Sequence, residues 1–155
     1  MSVKELGHLV LYVRNAERSA AFYRDVLGWH QVVGAGSDVA SPIPFPVAMF
    51  SSGRTHHELL LIEVGEDAPG PPRGRHTGLY HFGLKVGDSD ADLRAALDQL
   101  RAAGATVVGA SDHTITHSVY IEDPDGNEIE LYVDVEGADW SDPEQLLAEI
   151  RPLRL

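Results

Sequence analysis

The sequence predicts an α+β fold built from two tandem βαβββ modules. The segments HLVLYV (8–13) and HFGLKV (81–86) begin 73 residues apart (81 − 8), and a polar turn and a helical stretch follow each one. Three strand-like segments then follow each helical stretch. Because one helix covers only one face of a four-stranded sheet, the other face must be covered or must line a cleft. We therefore expect a curved mixed sheet around a ligand-binding cleft.

Each predicted helix has a recognisable start or end. In the first module, Asn15 is a candidate N-cap for a helix over residues 16–27, and Gly28 follows its end. In the second module, Gly104 ends a helix over residues 90–103. Apolar residues recur at helical spacing along one face of each helix: Ala20, Tyr23 and Leu27, then Leu93, Leu97 and Leu100. The strand-like segments are WHQVV, PVAMF and ELLLIEV in the first module and ATVVGA, HSVYIE and NEIELYV in the second.

The 155 residues fit a single domain with its own core. We expect the first module at about residues 5–64 and the second at about 79–134, joined by a Gly- and Pro-rich linker over 65–78. After the second module, the sequence Ser141-Asp-Pro-Glu144 has the form of a capping box. It predicts a C-terminal helix over about residues 141–150.

The composition excludes several classes of function. Acidic residues outnumber basic ones by 24 to 12, giving a formal net charge of −12, which argues against nucleic-acid and anionic-membrane partners. The chain has eight histidines and no cysteine, so a metal site must use histidine and carboxylate ligands. The beginning MSVKELGHLVLYV lacks the pattern of a signal peptide, and no apolar run approaches the roughly 20 residues that span a bilayer. We expect a soluble, cytoplasmic protein.

Three residues at repeat-related positions form a candidate metal site. His8 and His81 open the first strand of their modules, where a buried strand normally has Val or Ile. Glu130 lies among apolar residues in the last strand of the second module, and burying a carboxylate there is costly unless it is paired or ligates a metal. The alternative is that each residue is a hydrogen-bonded core or rim side chain. Two histidines and one carboxylate are the facial triad of non-haem Fe(II) oxygenases, so we favour a metal-binding cleft.

Several motifs resemble the vicinal oxygen chelate superfamily, which includes glyoxalase I, fosfomycin and bleomycin resistance proteins, and extradiol dioxygenases. They are FYRDVLGW (22–29), the histidine on each opening strand, and DPDGNEIELY (123–132). The resemblance covers about residues 5–134, and the stretch 112–132 is most similar to small catechol-2,3-dioxygenase-like proteins. It implies that Tyr120, ten residues before Glu130, and His113 belong to the active site.

The resemblance also implies a catalytic group in the first module, with two alternatives. His57 resembles the acid/base histidine of extradiol dioxygenases, whereas Glu58 would be an additional metal ligand in a glyoxalase-like protein. The spacing of 49 residues from His8 to His57 equals that from His81 to Glu130, whereas Glu58 is 50 residues from His8. Because neighbours on a strand point to opposite faces, only one of the two can face the cavity in regular geometry, and we favour His57.

The resemblance implies an extradiol-type ring-cleavage dioxygenase that uses a divalent metal, Fe(II) first and Mn, Ni, Zn or Co as alternatives. A small catechol-like substrate and dioxygen are then its partners, and we expect a homodimer with the metal site in one chain or shared between two. The alternatives are a glyoxalase-type isomerase or lyase, and a non-enzymatic drug-binding or resistance protein. The four remaining histidines are expected at the surface: His30, His56, His76 and His117.

Overall fold

The structure is a computed structural model that describes residues 1–39 and 41–155. The chain divides into two compact units, Met1–Gly70 and Pro71–Leu155. The first unit has a four-stranded sheet and the second a five-stranded sheet. In both units a strand, a helix and three further strands follow one another, so the predicted α+β class and the βαβββ order are confirmed. Within the described ranges, no helix is long and apolar enough to cross a membrane.

The first unit consists of one mixed sheet and one helical segment. Its elements are β1 (Leu9–Val13), α1 (Ala16–Ala21), a π-helical turn (Phe22–Val26), β2 (Gln31–Gly34), β3 (Val47–Phe50) and β4 (Leu59–Glu63). The strand order is β1-β4-β3-β2, with β1 parallel to β4 and the other pairs antiparallel. The Asn15 side chain accepts a hydrogen bond from the backbone N–H of Arg18, as an N-cap does. The helix predicted over residues 16–27 is therefore present, and its last part widens into the π-helical turn.

The core of the first unit lies on one face of its sheet. Tyr23 is fully buried there, and its ring lies 5.8 Å from the Phe50 ring and 6.4 Å from the Trp29 ring. Buried strand residues alternate with exposed ones along β1, as expected for a sheet with one covered face. His8 immediately precedes this strand.

The second unit repeats the arrangement and adds a C-terminal strand. Its elements are β5 (His81–Lys85), α2 (Asp90–Ala102), β6 (Thr106–Asp112), β7 (Thr116–Glu122), β8 (Glu128–Asp134), α3 (Pro143–Leu146) and β9 (Arg151–Pro152). The strand order is β5-β8-β7-β6-β9, with β5 parallel to β8 and the other pairs antiparallel. Ser89 caps α2, and the leucines predicted for its buried face are buried: Leu93, Leu97 and Leu100.

The C-terminal helix is shorter than the stretch 141–150. It spans Pro143–Leu146, and its cap is Asp142, whose side chain accepts a hydrogen bond from the backbone N–H of Glu144. The residues that follow pair as β9 with the end of β6. Residues 147–150, which were expected in the helix, form no helix or strand and precede this pairing.

A buried aspartate sets the turn between β7 and β8. Asp123 is 5% exposed, and its Oδ1 accepts hydrogen bonds from the backbone N–H groups of Asp125 and Asn127. Its Oδ2 accepts a third bond from Asn127 Nδ2. This turn brings β7 and β8 into the register that places Tyr120 opposite Glu130. The two side chains therefore lie on the same face of the sheet.

We predict that Asp123→Ala lowers the free energy of unfolding by about 1–3 kcal/mol, because it leaves the donors of the turn without their acceptor. Chemical denaturation measures the change. Asp98→Ala is the matched control, since the Asp98 side chain is 70% exposed on α2, and it should change stability little. Equal stability of the two variants would show that the turn does not depend on Asp123.

Candidate metal and catalytic site

The residues predicted for the site fall into two groups, one in each unit. His81, His113, Tyr120 and Glu130 belong to the second unit, whereas His8, His57 and Glu58 belong to the first. Each group is built by residues at or next to the ends of strands, or on strand faces that the helix does not cover.

The alternation of β8 separates core residues from site residues. Ile129 and Leu131 are buried, whereas Glu130 points to the opposite face of the sheet. In the parallel ladder between β5 and β8, Gly83 lies opposite Glu130. A Cβ atom at Gly83 would lie 3.3 Å from the Tyr132 ring and 3.8 Å from Glu130 Oε2. The glycine therefore leaves room for the carboxylate and the ring on this face.

The two oxygens of the Glu130 carboxylate contact different side chains. Oε1 accepts hydrogen bonds from Ser118 Oγ at 2.6 Å and from Tyr120 Oη at 3.3 Å. Oε2 lies 3.2 Å from His81 Nε2. The side chain is 17% exposed, so these contacts compensate for much of the hydration that the charged carboxylate loses. One oxygen is thus held by hydroxyl groups and the other is directed at an imidazole.

Tyr120 connects His113 to Glu130. His113 Nε2 lies 2.7 Å from Tyr120 Oη and 3.9 Å from Glu130 Oε1. Burial of the Tyr120 hydroxyl raises its pKa, and the neighbouring negative charge of Glu130 raises it further. Tyr120 therefore keeps its proton at neutral pH. When that proton is donated to Glu130, His113 must donate to Tyr120 Oη, because a phenol has a single proton.

Two further residues, Glu128 and Tyr80, complete the surroundings of His81. His81 Nδ1 lies 3.6 Å from Glu128 Oε1, and the Tyr80 ring packs edge-on against the His81 ring with 4.6 Å between centroids. A hydrogen bond to Glu128 raises the pKa of the Tyr80 hydroxyl. The sequence contained a signal for Glu128, because it stands two residues before Glu130 and so shares its strand face. Ser118 likewise stands two residues before Tyr120 on β7, so these two side chains also share a strand face.

In the first unit, three histidines lie side by side. The ring centroids of His8 and His57 are 4.8 Å apart, and His57 Nδ1 lies 2.7 Å from His56 Nδ1. Burial lowers the pKa of His57, and the neighbouring His56 and His8 lower it further. His57 is therefore neutral at pH 7. One of the two Nδ1 atoms donates to the other, which leaves His57 Nε2 for other partners.

The Glu58 carboxylate is engaged away from this histidine group. Its oxygens accept hydrogen bonds from the Ser52 backbone N–H at 2.6 Å, Ser52 Oγ at 2.5 Å and Arg54 Nε at 3.2 Å. Strand β4 begins at Leu59, so His57 and Glu58 precede the ladder, where strict alternation does not apply. The local chain thus places His57 beside His8 and turns Glu58 toward Ser52 and Arg54.

Within either unit, no three described His, Asp or Glu side chains form a group placed to hold a metal ion. The triad predicted from the sequence takes His8 from the first unit and His81 and Glu130 from the second. It therefore stays a prediction for the chain as a whole.

Two histidines expected at the surface are engaged with other side chains. His117 is 19% exposed, with Nδ1 2.6 Å from Asp90 Oδ1 and Nε2 3.6 Å from Asp112 Oδ1. It connects the beginning of α2 to the end of β6. His56 contacts His57, as described above. His117 is only partly exposed because its partners come from α2 and β6, whereas His56 is exposed as expected, although its ring contacts His57.

The comparison with protein families identifies the chain. A sequence profile of the Glyoxalase/Bleomycin resistance protein/Dioxygenase superfamily matches residues 5–131. The chain belongs to this superfamily. The resemblance seen in the sequence is therefore confirmed.

Superfamily members with different named activities are similar to this chain. The Catechol-2,3-dioxygenase of Bacillus subtilis (strain 168) is 32% identical over 135 residues, which cover 87% of the chain and 43% of that protein. The Probable lactoylglutathione lyase of Synechocystis sp. is 30% identical over 129 residues, which cover 81% of the chain and 92% of that protein. The chain thus spans less than half of the dioxygenase and nearly all of the lyase.

A solved structure of the superfamily has the same fold. The crystal structure of a glyoxalase/dioxygenase from Nostoc punctiforme matches with a TM-score of 0.69 and 24% sequence identity. The match covers 86% of this chain and 92% of that one. At this identity the likeness concerns the fold alone.

Members of the superfamily bind divalent metal ions, and part of the donor set here fits such an ion. Two ligands in adjacent positions on a metal, each bound at about 2.0–2.2 Å, lie about 3 Å from each other. His81 Nε2 and Glu130 Oε2 are 3.2 Å apart, with the other carboxylate oxygen held by hydroxyl groups. Imidazole nitrogen and carboxylate oxygen are both ligands for Fe, Zn and related ions.

We predict that Glu58→Gln lowers the free energy of unfolding by about 1–3 kcal/mol at pH 7, because a neutral amide cannot accept all the bonds from Ser52 and Arg54. Burial raises the pKa of Glu58, but the hydrogen bonds from Ser52 and the nearby Arg54 outweigh burial, so its pKa lies below the usual value. The stabilisation should be present above the pKa of the unfolded chain and be lost as the pH falls through the folded pKa. Denaturation curves at several pH values measure it, and a difference that persists at the lowest pH would contradict this origin.

Proposed function

We propose that this protein is a metal-dependent extradiol-type dioxygenase that cleaves the ring of a small catechol-like compound. His8, His81 and Glu130 are the proposed metal ligands, and Fe(II) is the proposed metal. The observation that supports this most strongly is the group in the second unit, where Tyr120 and His113 adjoin the pair formed by Glu130 and His81. The similarity to a protein named catechol-2,3-dioxygenase supports it as well.

The donor set suits this chemistry. His8, His81 and Glu130 would hold Fe(II), which would supply positive charge that favours deprotonated substrate oxygens and would activate dioxygen. The chain has to hold the two hydroxyl-bearing carbons in place and accept and return protons.

His57 is the proposed acid and base. A base that works at neutral pH must be unprotonated before the reaction, and burial together with the neighbouring histidines keeps the pKa of His57 below its usual value. Its ring lies beside His8, one of the proposed ligands. His57 can therefore take a proton from a substrate hydroxyl and return it later.

Tyr120 and His113 are proposed to orient the substrate oxygens. Tyr120 stays protonated because its pKa is raised, so its hydroxyl can donate a hydrogen bond to an oxygen that becomes negative. His113 lies 2.7 Å from the same hydroxyl and can hold or replace that proton. Together they can move a proton along the Glu130 side of the site.

A glyoxalase-type lyase is the second candidate. The similarity to a probable lactoylglutathione lyase over nearly the whole length of that protein favours it. A lyase of this type would use Glu58 as a further metal ligand, whereas the Glu58 carboxylate accepts hydrogen bonds from Ser52 and Arg54. The dioxygenase proposal requires no movement of Glu58, which is why we prefer it. A binding or resistance protein without metal is the third candidate, and the candidate triad argues against it.

We predict that the protein, loaded with Fe(II) without oxygen and then exposed to air, takes up one molecule of dioxygen for each catechol ring that it opens. An oxygen electrode and the absorbance of the ring-opened product measure this over a panel of substituted catechols. No uptake with any catechol, together with isomerase activity on a thiol adduct in the presence of Ni or Co, would favour the lyase instead. A folded protein that retains no added metal would favour the binding protein.

We predict that His57→Ala lowers kcat by about 10²–10⁴-fold, because the proton transfer loses its base. Glu58→Gln is the matched control, since it changes the adjacent residue and should keep most of the oxygen uptake. Metal content, measured on both variants, should equal that of the wild type. Loss of activity in Glu58→Gln with retention in His57→Ala would reverse the assignment of the two residues.

We predict that Tyr120→Phe lowers kcat by about 10-fold or more while the protein keeps its metal, because the variant loses one hydrogen-bond donor near the reacting oxygens. Steady-state kinetics and metal analysis measure the two effects. Trp140→Phe is a control, since the aromatic side chain of Trp140 is 64% exposed in the segment between β8 and α3. An unchanged kcat in Tyr120→Phe would show that Tyr120 is only a structural residue.

A further inference from the structure

We propose that Glu128 is a positioning residue for His81: its carboxylate accepts the Nδ1 proton, so that the Nε2 lone pair is available beside Glu130. This role depends on the proposed function, in which His81 is a metal ligand. It assigns a task to a carboxylate that is not itself proposed as a ligand.

The first observation is the state of His81 Nδ1. It is a buried side-chain nitrogen, and within the described part of the chain it has no hydrogen-bond partner. Buried polar atoms without a partner are rare and costly. The nearest carboxylate oxygen is Glu128 Oε1 at 3.6 Å, and a shift of about 0.5 Å would bring it within hydrogen-bond range.

The second observation is the strand register. His81 and Glu128 are direct partners in the parallel ladder between β5 and β8. Glu130 lies two residues further along β8 on the same face, and its Oε2 faces Nε2 of the ring. The imidazole is therefore flanked by two carboxylates, one near each nitrogen.

The chemistry of a neutral imidazole gives the two carboxylates different tasks. A neutral ring carries one proton, so a lone pair at Nε2 requires the proton to be on Nδ1. A buried Nδ1–H needs an acceptor, and metal-bound histidines commonly donate this proton to a carboxylate. Glu128 is the carboxylate in the position to accept it. Glu130 is left to share the metal with Nε2.

Tyr80 supports both members of this contact. Its hydroxyl donates a hydrogen bond to Glu128, and its ring packs edge-on against His81 at 4.6 Å between centroids. The phenol thus limits the movement of the carboxylate and of the imidazole together. Tyr80 precedes His81 directly in the chain, so the support is local.

The test is the affinity of the full-length protein for Zn(II), measured by competition with a chromophoric chelator. Loss of such a supporting partner weakens metal binding by about 10–100-fold, so the Kd of Glu128→Ala should rise by that factor. Glu128→Gln keeps an acceptor oxygen without the charge and should show a smaller rise. Glu122→Ala is the matched control, because Glu122 is the cross-strand partner of Glu128 on β7, and its Kd should stay within about threefold of the wild type.

The outcomes separate this role from the metal centre itself. Wild-type affinity in Glu128→Ala would overturn the role of Glu128 and leave the metal centre intact. No Zn(II) binding by the wild type would overturn the metal centre and this role with it. Equal losses in Glu122→Ala and Glu128→Ala would show a general charge effect and would also overturn the role.

A second measurement covers the case in which Glu128→Ala does not fold. Nitrogen-15 NMR of the Zn(II)-loaded wild type should show the His81 proton on Nδ1, in a strong hydrogen bond. In Glu128→Gln the signal of that proton should move toward the position of a weaker hydrogen bond. An identical proton signal in wild type and Glu128→Gln would contradict the contact.

Discussion

A negative carboxylate on a sheet face is the constraint on which the second unit depends. Glu130 is mostly shielded from solvent, so its charge must be balanced by nearby donors. Ser118 and Tyr120 supply hydroxyl groups to one oxygen, and His81 lies against the other. With a metal absent, these contacts stabilise the charge. In the proposed metal centre, the same arrangement would direct one oxygen to the ion and hold the other.

The residues that surround this carboxylate are set by strand pairing. The turn at Asp123 fixes how β7 meets β8, and the parallel ladder fixes how β5 meets β8. A slip of one residue in either ladder would send Tyr120 or His81 to the opposite face. The same alternation buries Ile129 on the opposite face of the sheet. Core packing and site chemistry therefore depend on one register, and a change in either affects the other.

Our preference for a dioxygenase over a lyase rests on the short segment before β4. A lyase-like site would need the Glu58 carboxylate near the metal, whereas Ser52 and Arg54 hold it elsewhere. Arg54 also contacts Glu5, close to His8 in sequence. One guanidinium thus organises the chain on both sides of the histidine group. A shared fold can support different reactions through such local differences.

Local patterns were enough to predict the repeat and the βαβββ order, because alternation and helical spacing are properties of neighbouring residues. The same patterns indicate His8, His81 and Glu130 as candidate ligands, which stay a prediction. The sequence did not settle which side chain, His57 or Glu58, faces the candidate site, because the direction of each depends on a bend in the chain before β4. The partners of His81 and His117 were missed in the same way. Their contacts join strands or a helix that are distant in sequence, and only the packed sheet brings those atoms together.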